Sequence, residues 1–287
     1  MPKVVTFGEI MLRLSPPGFE RFFQSPVLSA TFGGGEANVA VSLAHFGIDS
    51  VYVTRLPAHA VGEAAVKTLR AEGVRTDHIV RGGERVGIYF AEAGASQRAS
   101  GVIYDRAHAA VSEMAPDAVD WAEVMKGADW FHVTGITPAL GPNAAATTAR
   151  AVSAARAARA RVSVDLNYRR KLWSEARARE VMTPLMREVD VVIANEEDLQ
   201  SVLGVQVPGT DVTSGRLNID GFRQAAEQVT REFGPPMVAI TLRASVSASD
   251  NGWSAVLWEA TSAALHRSQR YEVRLVDRIG GGDSFAA

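Results

Sequence analysis

The sequence predicts an α/β fold: a mostly parallel central sheet covered by helices on both faces, with a small antiparallel β lid beside it. Three observations carry this. Short β-rich runs alternate with alanine-rich helical stretches along the chain, the order in which crossover helices build a parallel sheet. Most of those β runs are apolar throughout, as in strands buried on both faces. Two regions, 10–33 and 86–106, break the rhythm and hold strand-like runs with no helix between them.

Residues 4–8 read as the first strand, 36–46 as a helix ended by Gly47, and 51–54 as the next strand. A second helix over 61–72 closes on Gly73. Residues 130–133, 162–166, 191–194 and 237–241 read as buried strands, with helices near 143–159, 175–188 and 220–233 between them. The 86–106 region contains two runs, 87–92 and 101–104. With 10–33 they form either a lid, a common use of a sheet inserted in an α/β core, or edge hairpins without a role. Residues 204–218, rich in Gly, Thr, Ser and Pro, read as a surface loop. Residues 251–253 read as a turn before a strand over 254–258, and 273–276 as a final strand.

With 287 residues, 47 % apolar and 22 % charged, the chain suits one large domain. A formal net charge of −2 gives no basic footprint for nucleic acid. The chain has no cysteine, which excludes disulfides, thiolate nucleophiles and cysteine zinc sites and is compatible with a reducing cytoplasm. The N-terminal apolar stretch is too short for a signal peptide, and Glu9 and Arg13 follow it at once. No apolar run reaches the ~18 residues of a membrane span. The six histidines are not spaced as metal pairs, and His132, inside a buried-type strand, reads as a satisfied core residue. No serine has a nucleophile-elbow context.

Chemistry concentrates in two glycine-rich turns. In Gly280-Gly281-Gly282-Asp283 the glycines let a ligand approach the backbone, and free amides at a helix start favour an anion. A carboxylate among such amides suits a partner that carries a proton, such as a hydroxyl attacking a phosphate. The plainer reading is a tight turn with Asp283 capping a helix. Gly33-Gly34-Gly35-Glu36-Ala37-Asn38 also opens a helix, and Asn38 offers a donor and an acceptor. It is neither a Walker A loop nor a dinucleotide fingerprint.

Together these turns give a family resemblance over essentially the whole chain. The sequence resembles the ribokinase-like (PfkB) carbohydrate kinases, a three-layer fold. The opening Phe7-Gly8-Glu9-Ile10-Met11-Leu12-Arg13-Leu14-Ser15-Pro16-Pro17 is similar to the 2-keto-3-deoxygluconate kinase branch. Gly34, Gly35 and Asn38 resemble the sugar-binding signature, and Val276-Asp277 with Gly280 to Asp283 the C-terminal one, with Gly281 in place of the usual alanine.

The resemblance implies ATP-dependent phosphorylation of the terminal hydroxyl of an acid sugar, 2-keto-3-deoxygluconate first. Asp283 is then the general base, and the amides of Gly280, Gly281 and Gly282 form the anion hole. Alternatives are a kinase for a neutral sugar such as fructose or ribose, or a non-catalytic sugar- or nucleotide-binding relative. Tyr89, Tyr104, Arg106 and Arg169 join Gly34, Gly35 and Asn38 as implied sugar contacts; arginine is the cation best shaped for a carboxylate. Packing in the lid and surface ion pairs are the plainer readings of those tyrosines and arginines. Asn167, Arg169, Asn195, Thr241, Arg243, Gly280 and Gly282 are the implied ATP contacts. Mg2+ is an implied cofactor, with its ligands left unassigned. The family motif Asn-x-x-Glu stands here as Asn195-Glu196-Glu197-Asp198, which is also close to a helix capping box. A cytoplasmic single kinase domain over 1–287 is expected, forming a homodimer through the lid. The family's helices beyond this signature are expected to be missing from residues 1–287.

Overall fold

A computed structural model describes residues 1–209, 218–245, 247 and 249–287. The strands are β1 (Lys3–Phe7), β2 (Met11–Ser15), β3 (Ser29–Gly33), β4 (Asp49–Val53), β5 (Arg55–Leu56), β6 (Val80–Arg81), β7 (Ile88–Glu92), β8 (Gly101–Asp105), β9 (Trp130–Thr134), β10 (Arg161–Asp165), β11 (Val191–Ala194), β12 (Met237–Ser245), β13 (Asp250–Glu259), β14 (Ala264–Arg267) and β15 (Tyr271–Arg274). The main sheet runs β14-β13-β12-β11-β10-β9-β1-β4, with β15 also on β13. From β12 to β4 every pairing is parallel. The strands β13, β14 and β15 add an antiparallel edge.

The expected helices are present at Gly35–His45, Ala60–Ala71, Pro142–Ala157, Glu175–Met186 and Ile219–Phe233. The first two end as their glycines predict. Gly47 (φ 78°) and Gly73 (φ 83°) take the left-handed conformation. In each case the next amide reaches back, Ile48 N to Leu43 O and Val74 N to Leu69 O, both at 3.0 Å, closing the last turn. The main core fills both faces of the parallel strands, with Phe7, Phe131, Val162, Val164, Val192 and Ile240 each at or below 1 % exposure. His132 is buried there too. Its Nδ1 lies 2.9 Å from Ser163 Oγ, but Nε2 has no partner. It is therefore only half satisfied, and burial pushes its pKa down to about 4, so it stays neutral at ordinary pH.

The second sheet, β3-β2-β7-β8, is the small sheet expected from residues 10–33 and 86–106, called the lid below. Its β2–β3 and β7–β8 pairs are antiparallel hairpins. The central β2–β7 pair is parallel, because the chain returns to the main body between β3 and β7 and no turn links those strands. Two local expectations are corrected. Residues 251–253 are not a turn: they lie inside β13, paired with β12 on one side and β15 on the other. The last strand is Tyr271–Arg274 rather than 273–276; its register is set by β13, and Val276 is 96 % exposed. Of the expected loop 204–218, residues 210–217 lie outside the described residues.

Candidate active site

A cleft of about 510 Å³ opens at the carboxyl ends of β1, β9, β10, β11 and β12, beneath the lid, where open α/β sheets bind ligands. Every residue singled out above as a sugar, nucleotide or catalytic contact lines it.

Its centre is the meeting of the two glycine turns. Asn38, in the first turn of the helix Gly35–His45, takes the Gly34 N–H on Oδ1 at 3.3 Å and donates Nδ2 to Asp283 Oδ2 at 2.7 Å. One amide thus ties together motifs 245 residues apart. Gly280 turns through φ 89°, and Asp283 follows in the short helix Gly281–Ala286. Burial raises the Asp283 pKa; the Asn38 hydrogen bond and the Arg169 charge oppose it. A second link joins Arg13 of the lid to Asp277 at 2.5 Å.

At the lid end of the cleft, Tyr89 and Tyr104 face each other across β7 and β8, ring centroids 6.1 Å apart. The Arg106 guanidinium lies 5.3 Å from the Tyr104 centroid, a cation–π distance. Arg106 is no surface ion pair: it is 9 % exposed and paired with Glu9, itself 3 % exposed. Arg169 is exposed, and its Nη1 donates to the Tyr168 carbonyl at 3.0 Å. Its charge lowers the proton affinity of Asp165, Asp198 and Asp283.

At the β10–β12 end of the cleft, Asn167 holds a left-handed turn (φ 38°) after β10. Asn195 and Asp198 form the capping box: Asp198 N donates to Asn195 Oδ1 at 2.9 Å and Asn195 N to Asp198 Oδ2 at 3.2 Å. Asp198 Oδ1 takes the Tyr168 N–H at 2.8 Å. With both oxygens on backbone amides, Asp198 fastens the 166–169 turn to the 195 helix start. Burial still raises its pKa to about 6. Thr241 Oγ1 donates to the Ala194 carbonyl at 3.4 Å. Arg243 places Nε and Nη2 on Asn251 Oδ1, both at 2.9 Å.

Sequence reasoning missed four contributors. Glu9 is one. Glu36 is fully buried. Its Oε1 accepts from Thr134 N (2.8 Å), Thr134 Oγ1 (2.9 Å) and Thr137 Oγ1 (2.6 Å). Burial pushes its pKa up to about 7 against those bonds. The Asp165 pKa is raised well above its ordinary value by burial, then by Asp198 and Asp283. Asn251 holds Arg243. For Glu36 a signal was present: an acid inside a glycine turn that opens an otherwise apolar helix.

The family model for pfkB family carbohydrate kinases matches residues 1–287. The chain belongs to this family. It is therefore a carbohydrate kinase by family, and the ribokinase-like fold expectation is met. The 2-dehydro-3-deoxygalactonokinase of Haloferax volcanii is 32 % identical over 284 residues, 99 % of this chain and 81 % of that protein. The 2-dehydro-3-deoxygluconokinase of Thermoproteus tenax is 32 % identical over 221 residues, 72 % of this chain and 64 % of that protein. The crystal structure of the 2-dehydro-3-deoxygluconokinase of Thermotoga maritima is 50 % identical, with a TM-score of 0.95, covering 100 % of this chain and 85 % of the other.

Proposed function

We propose that the protein phosphorylates the terminal hydroxyl of a 2-keto-3-deoxy acid sugar from ATP, with 2-keto-3-deoxygluconate the leading acceptor. The observation that carries this reading is the pairing, in one cleft, of a half-buried carboxylate at the glycine turn with two arginines at the lid end. Asn38 occupies Asp283 Oδ2, so Oδ1 is the oxygen left to take the sugar hydroxyl proton. The amides of Gly280, Gly281 and Gly282 carry the charge of the transferring phosphoryl group. Gly34, Gly35, Tyr89 and Tyr104 bound the sugar, and Arg106 and Arg169 take its carboxylate. Asn167, Asn195, Thr241 and Arg243 hold the nucleotide.

Magnesium fits as an ion brought in on ATP. Among the described residues no three His, Cys, Asp or Glu side chains are grouped to cage a metal, and Mg2+ characteristically uses one or two carboxylates plus phosphates and waters. Asp165 and Glu196 line this end; burial raises the proton affinity of both, a cost that a nearby cation relieves. When bound, the ion neutralises phosphate charge.

A homodimer through the lid is supported by the register of its outer face. Leu12 opposes Ile88 and Leu14 opposes Phe90, which opposes Ile103. Ile103 is 56 % exposed, an apolar stripe of the kind partner surfaces cover. The absence of cysteine is compatible with a cytoplasmic setting. None of the described helices is long and apolar enough to cross a membrane.

The test is a panel of acceptors with ADP release as readout: 2-keto-3-deoxygluconate, 2-keto-3-deoxygalactonate, fructose and ribose. Turnover confined to the keto-acids is expected. Strong turnover of fructose or ribose with none of the acids contradicts the assignment.

A further inference from the structure

Four passages of chain join the lid to the main body: between β1 and β2, after β3, before β7 and after β8. They converge on one residue. Glu9 lies in the first passage. Its carbonyl oxygen occupies the space a Cβ on Gly34, just after β3, would need. Its carboxylate Oε1 fills the space a Cβ on Gly87, just before β7, would need. Its Oε2 takes the hydrogen bond from Nη2 of Arg106, which follows β8. No other acid touches that guanidinium among the described residues.

The contact is incomplete in an informative way. A guanidinium facing a carboxylate usually offers two parallel donors. Here one bond forms, while Glu9 Oε1 and Arg106 Nε are buried without partners. Burial raises the Glu9 pKa and the Arg106 charge opposes it. Such a half-made pair is a poor stabiliser, because both groups are desolvated for a single contact. It does fix one edge of Arg106 against the hinge. Nη1 keeps no protein partner among the described residues, and the side chain lines the cleft below Tyr104.

We propose that Glu9 is the positioning residue for the acid-sugar carboxylate: it anchors Arg106 at the lid hinge, so the grip on the anion depends on a residue that does not itself touch sugar. This rests on the reading of Arg106 as a carboxylate contact.

Two variants of the full-length enzyme test it by different routes. Glu9→Asp keeps the charge and shortens the reach. Gly87→Ala keeps both partners and places a methyl where the Glu9 carboxylate now sits. Each is expected to raise the KM for 2-keto-3-deoxygluconate about tenfold, or ~1.4 kcal/mol, with kcat within about twofold and the KM for ATP unchanged. Arg106→Lys is run alongside, and Glu9→Asp added to it should raise the KM no further, since one interaction is lost only once. A sugar KM unchanged in both variants overturns the inference while leaving Arg106 in place. So does a rise in both KM values with a fall in kcat, the mark of general loosening. If Arg106→Lys itself leaves the sugar KM unchanged, the carboxylate assignment fails and the role of Glu9 fails with it.

Discussion

The main sheet and the lid are built from strands of similar length but are held by different forces. The parallel strands bury a core that runs from Val5 to Trp258 and packs helices on both faces. The lid's own cluster is Met11, Tyr89 and Ala91, with Val102 against it. Burial therefore fixes the main body, whereas the lid has this small cluster, the half-made hinge pair Glu9–Arg106 and the Arg13–Asp277 bridge. Elements that must close over a ligand are drawn from the weakly held end of a fold. In the proposed reading the sugar is gripped from two sides, by Arg106 from the lid and by Arg169 from the main body.

Substitutions of equal size sharpen this contrast most. Phe131→Ala in the main core should cost about 3–5 kcal/mol by denaturant unfolding. Tyr89→Ala in the lid should cost about 1–2 kcal/mol, because so small a cluster collapses around the loss, yet raise the sugar KM. Equal destabilisation by the two would break the comparison.

Next in size is a charge buried in the main body. Glu36 has a folded pKa of about 7 against 4.5 unfolded. The folded state then binds the proton more tightly, so stability is full below about pH 4.5 and is lost as pH rises through 7. Glu36→Gln keeps the acceptor for Thr134 and Thr137 and removes the titration. Relative to the parent, it should gain on the order of 3 kcal/mol between pH 4.5 and 7 in urea unfolding. A pH-independent difference would refute this.

Arg169→Ala should raise the KM for the acid sugar about tenfold, or ~1.4 kcal/mol, and leave any residual turnover of ribose untouched. A smaller effect comes from titration of the base. Burial raises the Asp283 pKa, so the acid limb of the kcat/KM profile should lie above the ordinary aspartate range, and activity should fall as pH drops through it. An acid limb at the free-aspartate value would show that burial does not govern this group.

The fold was legible because its strands are apolar and its helices close on glycines such as Gly47 and Gly73. Most boundaries predicted from those signals fall within two residues of the observed ones. The glycine turns were legible as chemistry because each opens a helix. What sequence could not show was partnership. Nothing local says that Asn38 reaches Asp283, that Glu9 waits under Arg106, or that Asn251 holds Arg243 from the next strand. Those contacts come from sheet order and from four chain crossings meeting at one point. The 251–253 segment was misread for the same reason: Asn-Gly marks a turn locally, but pairing with β12 and β15 overrides it.

The central claim is that Asp283 is the proton acceptor in phosphoryl transfer. Asp283→Asn tests it directly, with ADP release and calorimetric sugar binding measured on the same full-length preparation. The account predicts turnover reduced about 10²–10⁴-fold with sugar affinity within about threefold of the parent. Unchanged turnover in that variant would contradict it.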